Sequence, residues 1–310
     1  MKIVITGALG HIGSRVIREI PLVFPQAEII MIDNMLTQRY CSLFNLPTEG
    51  RYRFIEADIL NMDLKQVVKG ADVILHLAAI TNAEASVNNR EQVEYVNYNA
   101  TVKVAEACCD SKCPMIHLSS TSVYGTQKNV VDEECSREEL KPQSPYAETK
   151  LKEEDFLQAL GKADRLNFVT CRFGTICGIS PGMRFHTAVN KFVWQACMGQ
   201  PITVWRTAMD QKRPYLNLDD AVRALFLIIN KRLFDRRIYN VLTTNATVGE
   251  IIAVIRQFIA VPNVQLVDSP IMNQLSYEVS NKHFCSRGFE VNTSLEKSIR
   301  ETIELLKNRK

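Results

Sequence analysis

Three glycines spaced three residues apart, Gly7, Gly10 and Gly13, stand directly behind the apolar run Ile3 to Ile5 at the start of the chain. A strand that meets such a loop must turn at once into a helix. Glycine lets the backbone turn tightly and lets a pyrophosphate approach the amides at the helix N-terminus, where the dipole favours negative charge. The same spacing also serves as a tight packing turn, so the next acid matters. A second apolar run, Ile29 to Ile32, closes on Asp33, about twenty residues past the loop, where a carboxylate accepts the ribose hydroxyls of a dinucleotide. Asp33, followed by the neutral Asn34, favours NAD over NADP, because the carboxylate would repel a 2′-phosphate without a nearby Arg. Arg39 works against that preference.

With 310 residues the chain can bury a full α/β core, one nucleotide-binding domain with a smaller one beside it. The formal net charge of +3, without a basic run or an aromatic stripe among cations, argues against a nucleic-acid partner. Nine cysteines, odd in number and without a CxxC spacing, suit a reducing cytoplasm and neither a disulfide frame nor a metal site. Met1 leads straight into a strand and no apolar run is long enough to span a bilayer. The expectation is a soluble, cytoplasmic protein with no membrane partner.

Further along, a polar and aromatic loop over 35–51 precedes a third strand over 52–57, which closes on Asp58 and Ile59. An acid at that strand end either accepts the exocyclic amine of an adenine or caps a turn. A short helix over 62–69 and an apolar fourth strand over 73–77 follow, and such β-branched runs separated by helices mark a parallel sheet covered on both faces. Ala78 and Ala79 are small enough to pass close to a cofactor. Residues 91–110 carry apolar positions at helical spacing, interrupted by Asn97, which either satisfies a neighbouring carbonyl or fixes the loop beneath a nicotinamide. A fifth strand over 115–118 runs into four hydroxyls, Ser119, Ser120, Thr121 and Ser122, at the ligand edge of such a sheet. In PQSPYAETK, Ser144 is placed to cap a helix with Pro145 in its first turn, and Tyr146 and Lys150 then share one face.

GALGHIG, Asp33, Asp58, HLAA over 76–79, Asn97, SSTSVYG over 119–125 and the Tyr146, Lys150 pair together resemble the extended short-chain dehydrogenase/reductases, and within them the NAD-dependent nucleotide-sugar epimerase/dehydratase branch, UDP-glucose 4-epimerase-like. RPYLNLDDA and YNVLTTNATVGE extend a weaker likeness through 213–250. The resemblance implies a Rossmann, doubly wound parallel α/β sheet over 1–172. Residues 173–310 would form mainly a substrate-binding domain, with some segments returning to the first.

It implies Ser120, Tyr146 and Lys150 as catalytic residues. Tyr146 would move the proton of a sugar hydroxyl, helped by the Lys150 ammonium and the positive nicotinamide, and Ser120 would hold the same oxygen. Implied cofactor contacts are Gly7, Gly10, His11, Ile12, Gly13, Asp33, Asn34, Asp58, Ile59, Leu77, Ala78, Ala79 and Asn97, with Tyr146 and Lys150. Implied substrate contacts are Thr81, Ser120, Thr121, Gly174, Thr175, Arg184, Asn190, Trp205 and Arg213. Arg213 would meet a pyrophosphate. Trp205, in the edge strand PITVW, would stack on a sugar or base, although an aromatic in such a strand more commonly belongs to the core.

Departures from the family pattern narrow the reaction. Where the 4,6-dehydratases place an acidic pair after the hydroxyl residue, this chain has Thr121 and Ser122, and the Glu of the decarboxylases is also missing. The Asn of an RYFN-like stretch is replaced within Arg172, Phe173, Gly174 and Thr175, and the late phosphate-binding Arg has no match over 270–280. The leading expectation is a nucleotide-sugar epimerase acting through a transient 4-keto sugar. A net 4-dehydrogenase or 4-ketoreductase would use the same residues. A 4,6- or 5,6-dehydratase fits less well, and a non-catalytic NAD-binding regulator is the remote reading. A homodimer through helices over 91–110 and 146–160, and a setting in polysaccharide synthesis, follow from the resemblance alone.

Overall fold

The computed structural model describes residues 1–81, 85–125, 130–261, 263–268 and 276–307. Its first half alternates strand and helix: β1 (Lys2–Thr6), α1 (Gly13–Val23), β2 (Glu28–Asp33), β3 (Arg51–Glu56), α2 (Leu64–Val68), β4 (Val73–His76), α3 (Arg90–Ser111), β5 (Met115–Ser120), the short β6 (Val130–Val131), α4 (Pro145–Lys162) and β7 (Phe168–Phe173). There follow β8 (Thr175–Cys177), α5 (Ala188–Cys197), β9 (Ile202–Trp205), β10 (Arg213–Asn217), α6 (Leu218–Lys231), β11 (Ile238–Val241), β12 (Thr244–Ala246), α7 (Val248–Phe258), β13 (Val264–Val267), β14 (Glu278–Val279), α8 (Lys282–Cys285) and α9 (Leu295–Lys307).

Seven strands form one sheet in the order β11-β7-β5-β4-β1-β2-β3, and every pairing in it is parallel. This is the doubly wound Rossmann arrangement expected from the apolar runs. The side-chain period of two splits each central strand between two cores. Ile3, Ile5, Ile29, Met31, Val73 and Leu75 pack against Val16, Ile17 and Ile20 of α1 and Ala221, Val222 and Leu225 of α6. The alternate residues Val4, Ile30, Ile74 and Met115 pack on the other face against Leu64 of α2, Ala100 and Val104 of α3, and Leu157 and Leu160 of α4. Each such side chain contributes roughly 1.5–3 kcal/mol when fully buried, which is why the runs need no polar alternation.

Beyond β7 only Gly174 separates the large sheet from β8, which lies in a second, three-stranded sheet of order β12-β10-β8. Helices α5, α7 and α9 close a separate core around it, with Phe192, Val193, Ile251, Ile255, Ile299 and Ile303 buried together. The strand β9, expected from PITVW, pairs in parallel with β13. Between β10 and β12 the chain returns to the first lobe through α6 and β11.

Local differences from the sequence reading have simple causes. The helix expected over 62–69 is confined to Leu64–Val68, since the Asp63 side chain caps its start by accepting from the Gln66 amide. The last helix is Leu295–Lys307, and residues 308–310 lie outside the described ones. No helix among the described residues is long and apolar enough to cross a membrane.

Candidate active site

Strand order reverses between β1 and β4, and a cavity of about 400 Å³ opens at their carboxyl ends. Gly7, Gly10, His11, Ile12 and Gly13 line it, with Asp33, Asn34, Asp58, Ile59, Leu77, Ala78 and Ala79. The glycine requirement is steric. Gly7 has φ +66°, and a Cβ there would sit 2.6 Å from the Ala78 amide nitrogen; one at Gly13 would sit 2.5 Å from the Gly7 carbonyl oxygen. At Gly10 the nearest atom would be 3.3 Å away, with the Arg39 guanidinium at 3.8 Å. The turn therefore leaves room in front of the α1 N-terminus, which fits a pyrophosphate.

Asp33 spends its two oxygens on the Leu9 and Met35 amides, each at 3.0 Å, and so ties the glycine loop to the end of β2. Asp58 caps a turn, accepting from the Leu60 amide at 2.9 Å, and also lines the cavity. Asn34 likewise accepts from the Leu36 amide. His11 is buried and its pKa is pushed down to about 3 by that burial; the neutral ring donates from Nε2 to the Gly178 carbonyl at 2.8 Å, and Nδ1 has no partner among the described residues. Asn97 stands behind the wall. Its amide bonds the Ile80 N–H at 2.8 Å and the Ile80 carbonyl at 2.9 Å, so it fixes the loop that follows Ala79.

A second cavity of about 410 Å³ adjoins the first and shares Ile12, Leu77, Ala78, Ala79, Thr81, Arg184 and His186 with it. Ser120, Tyr146 and Lys150 meet on its wall. Ser144 caps α4 by accepting from the Ala147 amide at 3.2 Å with Pro145 at the first position, which sets Tyr146 and Lys150 on the face turned to the sheet edge. The Lys150 ammonium lies 6.0 Å from the Tyr146 ring centre. Burial pushes the Tyr146 phenol up, while Lys150 and Arg184 pull it down. Ser120 Oγ accepts from both the amide and the hydroxyl of Ser122, at 3.2 and 2.9 Å, which leaves its own hydrogen to donate into the cavity.

The remaining expected substrate residues divide. Thr81, Thr121, Gly174, Thr175, Arg184, Trp205 and Arg213 all line this cavity. Arg184 is hydrogen-bonded to Thr81, and its buried Nε has no partner among the described residues. Arg213 lies 5.1 Å from the centre of the Tyr277 ring. Thr121 donates to the Phe173 carbonyl at 3.3 Å, so its hydroxyl is spent on backbone. Asn190 differs from expectation: it is fully buried behind the wall and holds the Arg184 carbonyl at 2.9 Å. The stretch over 270–280 expected to lack a phosphate-binding Arg lies outside the described residues up to 275.

The sequence reading passed over Tyr277 and Gln211 on the cavity wall, and His117 and Glu153 beneath it. Glu153 alone had a signal, three residues beyond Lys150 on one helix. Arg172 is also placed away from the cavity, in a bidentate pair with Glu154 at 3.0 and 2.7 Å.

Comparison with known proteins places the chain in a family. The model of the NAD dependent epimerase/dehydratase family matches residues 3–241. The chain belongs to this family. As a member of the epimerase/dehydratase family, and so of the extended short-chain dehydrogenase/reductases, it is an NAD-dependent enzyme. It is 31% identical over 240 residues, 74% of this chain and 73% of the relative, to the uncharacterized UDP-glucose epimerase YtcB of Bacillus subtilis. It is 27% identical to the trifunctional UDP-glucose 4,6-dehydratase/UDP-4-keto-6-deoxy-D-glucose 3,5-epimerase/UDP-4-keto-L-rhamnose-reductase RHM1 of Arabidopsis thaliana, with 98% of the chain spanning only 46% of that protein. Among solved structures, the UDP-glucuronic acid 4-epimerase of Bacillus cereus in complex with UDP-glucuronic acid and NAD superposes with a TM-score of 0.88 at 26% identity, covering 100% of both chains.

Proposed function

We propose that the chain is an NAD-dependent nucleotide-sugar 4-epimerase acting through a transient 4-keto sugar. The observation that supports this over dehydration is the second cavity's wall: Tyr146, Lys150 and Ser120 stand on it, and no Asp or Glu is among the described residues that line it. Eliminating water from a sugar needs a further acid and base beside the reacting carbons. At the positions where the dehydratases carry them, Thr121 is turned to backbone and Ser122 serves Ser120.

In this reading residues 1–172 hold the cofactor in the first cavity, and residues 173–310 supply most of the substrate wall. NAD held there would supply the hydride chemistry, removal from C4 and return to the opposite face of the 4-keto sugar. Tyr146 takes the proton of the C4 hydroxyl as the hydride leaves, and the Lys150 and Arg184 charges favour its phenolate. Ser120 donates to the same oxygen and holds it in line. Arg213 meets the diphosphate, and Trp205 flanks the sugar or base. The related enzymes named for UDP-sugars make a uridine diphosphate sugar the first candidate. A second copy of the chain would pair along α3 and α4, where Tyr95 is 63% exposed.

The test is to denature the purified protein, identify what it releases, and incubate fresh enzyme with UDP-, GDP-, CDP- and dTDP-sugars. Release of NAD, with epimerisation of one sugar and no net change at the NADH band, is expected. A lasting NADH band would make the enzyme a dehydrogenase, and a 4-keto-6-deoxy product a dehydratase; either overturns the reading.

A further inference from the structure

Lys150 and Glu153 are both buried, and the Lys150 ammonium lies 2.8 Å from Glu153 Oε2. The same oxygen accepts from His117 Nε2 at 2.7 Å, so Glu153 is held from the strand side by β5 and from its own helix by Lys150. Its second oxygen is buried without a partner among the described residues. The neighbouring Glu154 cannot substitute, because Arg172 engages both of its oxygens and Ser119 also donates to it.

We propose that Glu153 is a positioning residue, the counter-ion that keeps the buried Lys150 ammonium charged and in place on the wall of the reaction cavity, with His117 fixing its carboxylate. The proposal rests on Tyr146 and Lys150 being the proton-transfer pair. A buried lysine without a partner loses its proton readily, its pKa falling by up to about 3–5 units, and a neutral lysine would no longer favour a phenolate. An ion pair broken by removal of one partner leaves the other charge uncompensated in the interior.

The surrounding charges leave Glu153 as the deciding one. From β4, His76 is held between Thr6 and Thr101 and is neutral, its pKa pushed down to about 3 by burial. From β5, burial also lowers His117, which therefore acts as a neutral donor. From β7, Arg172 is matched by Glu154. On α4, Tyr146 is neutral until it gives up its proton, and Arg184 approaches from the segment after β8 and adds positive charge. Burial opposes the charge on Lys150, yet with Glu153 beside it the ammonium holds its proton above the usual lysine range. Burial opposes the Glu153 charge too, and Lys150 and His117 bring its pKa down to about 2.

Glu153→Gln tests this with two readouts. In the wild type Lys150 stays charged, so kcat shows no basic limb up to pH 9 or beyond. In the variant a basic limb appears, and kcat at pH 9 falls at least about tenfold below the wild type, beyond any loss at pH 7. The second readout is thermal unfolding against pH. With the Lys150 pKa lowered in the folded variant, the unfolded chain binds more protons between that value and the ordinary lysine value of about 10.4, so the variant's stability rises with pH there. Its Tm deficit is therefore largest near pH 7 and narrows towards pH 10. Glu153→Asp, which keeps the carboxylate, restores the profile without a basic limb. Should Gln prevent folding, Glu153→Met offers a neutral chain of similar length with the same expected narrowing.

A Tm deficit that does not change with pH, alongside kcat profiles that run parallel, would overturn the proposal by reducing Glu153 to packing. So would an acid limb displaced to lower pH without a basic limb, which would mean that Glu153 only opposes Lys150 at the phenol. Unfolding is measured without substrate. Absence of turnover on every sugar thus counts against the epimerase reading, while the Tm series still decides the role of Glu153.

Discussion

The two adjoining cavities are nearly equal in volume, about 400 and 410 Å³, but are built from different materials. The first is largely backbone and strand ends: a glycine turn, the carboxyl termini of β1 to β4, and carboxylates that brace loops. The second is walled by side chains from segments far apart in the chain, so that Thr81 meets Arg184 and Thr121 meets Tyr277. Fold and ligand site coincide in the first cavity, whereas the second can change its chemistry without disturbing the sheet. Substitutions in the first should therefore cost stability and function together. Those in the second should cost function alone.

The largest effect is expected on the wall of the second cavity. Tyr146→Phe removes the hydroxyl that moves the proton while keeping the ring, so kcat falls about 100- to 10,000-fold with Tm and NAD content unchanged. Near-normal turnover would remove Tyr146 from the mechanism. Gly7→Ala comes next, because it places a Cβ 2.6 Å from the Ala78 nitrogen at a φ of +66°. A left-handed alanine costs roughly 1–2 kcal/mol before any clash, so a loss of about 2–4 kcal/mol in denaturant unfolding is expected, with NAD lost on purification. Retained NAD at reduced stability would separate fold from site in the first cavity and break the contrast. Arg213→Ala is the corresponding change in the second cavity. Loss of a charge-assisted contact of about 1.5–3 kcal/mol raises KM on the order of tenfold to a hundredfold, with Tm within a degree or two of the wild type.

The same contrast explains what could be read from the sequence. The parallel sheet, the glycine turn, Asp33 and the capped start of α4 were legible because each depends on residues close together in the chain or on a period of two. Asn190 was not, since the resemblance counted it among the substrate contacts. Only the fold shows that its amide reaches back to the Arg184 carbonyl. Arg172 belonged to a motif, but its partners Glu154 and Tyr124 come from α4 and the loop after β5. Glu153 stood at helical spacing from Lys150, yet nothing local indicates that β5 brings His117 against the same oxygen.

Trp205 sharpens the comparison with the smallest change. Strand alternation decides its environment: Ile202 and Val204 are buried in the core of the second lobe, while Thr203 and Trp205 fall on the other face and are only half-buried. Trp205 reaches the cavity wall from that face. A core tryptophan cut to alanine would cost about 3–5 kcal/mol of stability, whereas a ring that stacks on a ligand loses about 0.5–1.5 kcal/mol of binding beyond its buried area. Trp205→Ala should therefore raise KM about threefold to tenfold and leave kcat and Tm close to the wild type, as checked by steady-state kinetics beside a thermal melt. A fall in Tm of many degrees at unchanged KM would return Trp205 to the core, and would show that the second cavity, like the first, is held in shape by the residues that line it.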